Sequence, residues 1–259
     1  MQHSPARIQA ANLLAIGFIS ILGQVVLLRE LSVALYGVEL IYTFAIGVWL
    51  VSSGIGTIIG LKGKKPNQSH AGLVFMLLST AIPLGVAFIR GIRIIFFTTP
   101  GSYLPIHLQI LATVISLFPF GLLLGLLFRW TARRYIECGK NLTAAYALES
   151  FGGIAGGLAA TIFLKFGIQN FTAGILCALF AAGITLLTVS KSSRPLLRAC
   201  TSAIVVLCIL GLWNTSTLDH FMTSWNHPDI VMTVDSPYSR ITITRREQQL
   251  VVYENDTLL

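Results

Sequence analysis

The sequence predicts an all-α membrane bundle of about seven transmembrane helices followed by a short C-terminal β-hairpin. Three observations predict it. Only 11% of the 259 residues are charged and 54% are hydrophobic, whereas a soluble domain carries about 25% charged residues. The mean hydropathy is +0.77. Of the ten acids, only Glu30, Glu39, Glu137 and Glu149 precede position 219, so a boundary divides an apolar region from a water-facing tail. The expected organisation is a transmembrane domain over 1–213, a linker over 214–229 and β-strands over 230–259.

A spanning helix needs about 20 mostly apolar residues; runs of that kind occupy about 10–28, 40–61, 71–96, 105–128, 144–164, 171–190 and 198–214. The first is too long, and lacks the cleavage site, for a removed signal peptide. The third holds Arg90 and Arg93, so either it ends near Ile89 or those side chains snorkel to the head groups. Asn214 to Asp229 is polar and reads as linker. "RITIT" then alternates as a half-buried strand does, "QLVVY" is a second β-rich run, and "END" suits a turn.

The net charge of +8 does not point to nucleic acid, because most Lys and Arg lie in short loops between apolar runs. With seven spans, eleven cations (Arg7, Lys62, Lys64, Lys65, Arg129, Arg133, Arg134, Lys140, Lys191, Arg194, Arg198) share the N-terminal side, against four (Arg29, Arg90, Arg93, Lys165). The positive-inside rule then predicts a multi-pass protein of a bacterial inner membrane, with a cytoplasmic N-terminus and the tail outside. The four cysteines form no C-x-x-C pair and read as small apolar residues. No metal-ligand spacing appears.

Glycines four residues apart put small faces on three runs: Gly56 and Gly60 in the second, Gly121 and Gly125 in the fourth, and Gly152 with Gly156 and Gly153 with Gly157 in the fifth. Such faces let helices approach closely; a substrate path along them is the alternative. Intramembrane polar residues need partners. Gln24 can bond between helices. Arg29 and Glu30 are expected at the interface, with a neighbouring helix as the alternative reach for Arg29. Glu149, about a turn inside the fifth run, reads either as an ion pair with Arg133 or Arg134 or as a proton or cation site.

Three stretches, "GFISILGQVVLLREL", "FPFGLLLGLLFRWTARR" and "AAYALESFGGIAGGLAA", resemble membrane-embedded spermidine synthase-like (polyamine aminopropyltransferase) proteins. The tail "DSPYSRITITRREQQLVVYENDTLL" resembles the opening strands of their synthase domain. The resemblance implies that the hairpin is the incomplete start of a spermidine synthase-type domain, and that the chain is a fragment or natural truncation lacking the catalytic Rossmann part. It implies aminopropyl transfer from decarboxylated S-adenosylmethionine, the co-substrate, to a diamine in the full-length form. No catalytic residue is assigned within this chain. Tyr238 and Ser239 fall where the family touches its nucleotide substrate, with Ser239 replacing the usual glutamine. The usual "L-D-G" turn reads "ENDT" over 254–257. The partners expected are a lipid bilayer, a polyamine substrate and a second copy of the chain in an oligomer. A transporter or channel module for a polyamine or other cation, and a structural membrane anchor, are the alternatives.

Overall fold

A computed structural model describes residues 5–62, 67–98, 103–189, 194–236, 239–247 and 249–258. Seven helices in it are long and apolar enough to cross a membrane, as a multi-pass membrane protein requires. They are α1 (Pro5–Ala34), α2 (Glu39–Lys62), α3 (Gln68–Arg90), α5 (Ile106–Glu137), α6 (Leu142–Lys165), α7 (Asn170–Thr188) and α8 (Pro195–Trp213). Local chemistry sets their ends. Asn67 caps α3 by accepting from the Ser69 N–H, Asn141 caps α6 by accepting from the Ala144 N–H, and Pro195 opens α8.

Small residues decide how the helices pair. α2 lies parallel to α5: Ser53 Oγ donates to Gly121 O and Thr57 Oγ1 to Gly125 O, both at 3.3 Å. A Cβ on Gly56 would strike the Leu122 carbonyl, and one on Gly125 the Ser53 carbonyl. α1 lies parallel to α6 in the same manner, with Gly152 against the Leu14 carbonyl and Gly156 against that of Phe18. α3 packs along α7, which α8 then covers. Side chains such as Ile19, Phe75, Leu78, Ile82 and Phe120 fill the centre.

The third apolar run ends as a span next to Ile89, the first of the two expectations for it. Helix α3 ends at Arg90, Gly91 breaks it, and a single turn α4 (Ile92–Ile95) follows. The expected linker over 214–229 contains a helix, α9 (Thr215–Ser224), whose Asp219, Met222 and Thr223 are buried. Tertiary contacts order this segment although its composition is that of a loop.

The expected hairpin is a four-stranded antiparallel meander in the order β1 (Ile230–Asp235), β2 (Arg240–Arg246), β3 (Gln249–Glu254), β4 (Thr257–Leu258). Asn255 and Asp256, both at positive φ, link β3 to β4, as a type I′ turn requires. Pairing places Thr242 beside Thr233 and Tyr253, and Ile243 beside Met232 and Val252. The face bearing Arg240, Thr242 and Thr244 is buried; the opposite face exposes Met232, Val234, Ile241 and Leu250. The sheet therefore turns its polar face inward, the reverse of an ordinary half-buried sheet.

Candidate functional site

Charged residues from five segments meet where the sheet sits on the bundle. Glu30, near the end of α1, is 1% exposed. Arg90 at the end of α3 grips it with two bonds, Nε to Oε2 at 3.1 Å and Nη2 to Oε1 at 2.8 Å. Arg240 at the start of β2 grips the same carboxylate from the sheet, at 3.3 and 3.0 Å. Asn170, opening α7, adds Nδ2 to Oε1 at 3.1 Å. One carboxylate thus joins three membrane helices and the sheet.

The remaining charges extend this lock. Arg240 Nε donates to Asp235 Oδ1 at 2.8 Å, and the Asn170 N–H donates to Asp235 Oδ2 at 2.8 Å. Arg90 Nη1 lies 2.8 Å from Asp219 Oδ1 on α9, an ion pair by distance without the angle of a hydrogen bond. Arg93 on α4 donates to Asp256 Oδ2 at 2.9 Å and to the Ala34 carbonyl at 3.2 Å, and stacks on the Tyr36 ring. His227 Nε2 meets Asp256 Oδ1 at 2.8 Å. Four carboxylates face three guanidiniums and one imidazole, with a cavity of about 10 Å³ among them, roughly the room for one water.

Titration follows from this pairing. Burial alone would raise the pKa of Asp235, but the charge and hydrogen bonds of Arg240 hold it below the ordinary 3.8. Burial would likewise raise that of Asp256; the His227 hydrogen bond and the Arg93 and Arg240 charges hold it below 3.8. Burial would lower that of Arg240, and the Glu30 and Asp235 carboxylates keep it well above its ordinary value. Asp235 and Asp256 thus stay ionised and paired, and do not form an open site able to hold a diamine.

Compared with protein-family models, curated proteins and solved structures, the chain shows no match.

Arg29 reaches the sheet: its Nη2 donates to the Ser236 carbonyl between β1 and β2, at 2.8 Å. Glu30, Arg90 and Arg93 are buried in the lock, where α1, α9 and the sheet supply partners that a lone helix lacks. Gln24 is half-buried and makes no side-chain hydrogen bond among the described residues. The interhelical bond nearby comes from Asn170 Nδ2 to the Val26 carbonyl at 2.9 Å. Ser239 is buried and bound into the β1–β2 turn, its N–H donating to Ser236 Oγ at 3.0 Å and its carbonyl accepting from that hydroxyl at 2.9 Å. Tyr238 lies outside the described residues.

Among the glycines, Gly121 meets Ser52, Gly60 meets the Arg129 stem and Gly153 meets Ile21. Gly157 is looser, with only Ile21 at 3.7 Å. Glu149 makes no ion pair among the described residues; Arg133 instead approaches Glu137 at 3.6 Å on its own helix. The carboxylate lies in a cleft of about 240 Å³ with Ser20, Ser53, Thr57 and Tyr146.

Sequence reasoning missed the lock, although one signal pointed to it. Arginines and an acid at helix ends needed partners, and six of the ten acids stood from position 219 onward.

Proposed function

We propose that this chain is the membrane module of a spermidine synthase-like protein, which seats the opening sheet of the synthase-type domain rigidly on a transmembrane bundle. The observation that carries the proposal is the Glu30 carboxylate, shared between Arg90 of the bundle and Arg240 of the sheet. A tail joined by a loose tether would need no such bond. An antiparallel meander, in the place where the sequence resembles the family's first strands, supports the rest. Aminopropyl transfer to a diamine is the activity proposed for the full-length form, with decarboxylated S-adenosylmethionine as co-substrate. This chain's own residues contribute anchoring and placement, since the acids where the sheet meets the bundle are engaged in ion pairs.

Cation transport along the glycine faces is less favoured, because Gly56, Gly121, Gly125, Gly152 and Gly156 are closed by atoms of the facing helix. The sheet lies at the end of the bundle opposite Arg7, Arg129 and Arg198, so the positive-inside rule assigns a cytoplasmic N-terminus and an outer sheet, in a bacterial inner membrane.

The test has two measurements on the natural protein in its own membranes. Aminopropyl transfer from decarboxylated S-adenosylmethionine to putrescine should appear; no turnover of any amine acceptor would refute the enzymatic part. Labelling of a cysteine at exposed Glu247 with an impermeant maleimide reports the side. Labelling from outside would keep the anchoring and the orientation, and would require the co-substrate to be supplied on that side. Labelling from inside alone would overturn the orientation and leave the chemistry accessible.

A further inference from the structure

The cleft that holds Glu149 is a built feature of the bundle. The α2–α5 pair forms one wall and the α1–α6 pair the other, each closed within itself by glycine contacts. Between them lies the space of about 240 Å³. Glu149 is the eighth residue of α6, about 10 Å in from the helix start at 1.5 Å per residue. A carboxylate at that depth is costly without a counter-charge or strong donors, and none is supplied by the described residues.

The other lining groups have defined polarity. Ser53 Oγ donates to Gly121 O, and Thr57 Oγ1 donates to the Ser53 and Gly125 carbonyls. Their protons are committed, so both hydroxyls offer the cleft lone pairs only. Ser20 and Tyr146 add two further hydroxyl oxygens. A carboxylate beside committed hydroxyls rejects an anion and suits a cation with several N–H donors. A primary ammonium has three such donors and needs no metal-like coordination shell.

We propose that this cleft binds a primary ammonium group, with Glu149 as its counter-ion and Ser53 and Thr57 as acceptors. The ammonium is carried either by a lipid head group entering sideways or by a free polyamine. This site does not rest on the synthase-like reading and would serve an anchor equally.

The experiment uses the full chain in nanodiscs and follows modification of Glu149 by dicyclohexylcarbodiimide, read by peptide mass spectrometry. Phosphatidylcholine discs are the baseline, because a quaternary ammonium has no N–H to donate. Replacing part of that lipid with phosphatidylethanolamine, or adding spermidine to phosphatidylcholine discs, should slow modification about tenfold, as expected for a ligand at roughly ten times its Kd. Protection by phosphatidylethanolamine alone assigns the site to a lipid head group; protection by spermidine alone assigns it to a free amine. Equal modification rates in all three conditions would overturn the proposal. Thr57→Val keeps Glu149 and should reduce the protection, whereas Ser32→Ala, away from the cleft, should leave it intact. Protection unchanged by Thr57→Val would remove the hydroxyl from the site.

Discussion

The interior of the bundle and its sheet-bearing end are held together in opposite ways. Inside, α1 meets α6 and α2 meets α5 through glycines against backbone, with no charge involved. At the end, Glu30, Arg90, Arg93, Arg240 and Asp256 join segments far apart in sequence through directed ion pairs. The difference follows from the solvent. In lipid there is no hydrophobic drive between apolar helices, so close packing must supply cohesion. At the rim, charges become affordable when every one finds a partner, and they then fix one geometry.

The largest expected effect is at Glu30. Glu30→Gln leaves Arg90 and Arg240 facing each other with their shared counter-charge removed, a loss of about 3–5 kcal/mol. Unfolding in detergent should show it, along with faster proteolysis of the sheet. If the variant matched the wild type, the lock would not hold the sheet. Next come the seams. Gly152→Leu drives a side chain into the Leu14 carbonyl and should cost about 1–3 kcal/mol or more. A thermal melt should register it, while the sheet-end contacts stay intact by cross-linking.

Acid separates the two regions. Asp235 and Asp256 are held below 3.8 in the folded state, so the unfolded chain binds more protons near that value. Their stabilisation is complete above it and is lost as pH falls through the depressed folded values. Below about pH 4 the sheet should become accessible to protease before the bundle melts. Loss of both together would contradict the division. The smallest effect belongs to Gly157→Ala, where the added methyl meets only Ile21 at 3.7 Å. Its melting temperature should match the wild type.

The spans were legible in the sequence because an apolar run of sufficient length needs no partner to be recognised. The glycine spacing likewise announced close packing, though not which helix Gly152 would meet. The lock was not legible, because Glu30 and Arg240 stand 210 positions apart and no local pattern links them. The alternation of "RITIT" was visible, but alternation tells only that two faces differ. Which face is inside was decided by Arg240 and its partners in the bundle. The "ENDT" turn acquires a reason in the same way: Asp256 pairs with Arg93 and His227, which a glycine there could not do.

That long separation also has a consequence for biosynthesis. Glu30 leaves the ribosome 210 residues before Arg240, an interval of about 10–40 s at 5–20 residues per second. Throughout it the carboxylate has Arg90 as its nearest counter-charge once α3 is inserted, and the seat for the sheet stands half assembled. A strand made late therefore completes a site begun by the first helix. A ribosome stalled before residue 240 should hold a bundle with an open, charged rim, the form that a membrane quality-control protease would recognise.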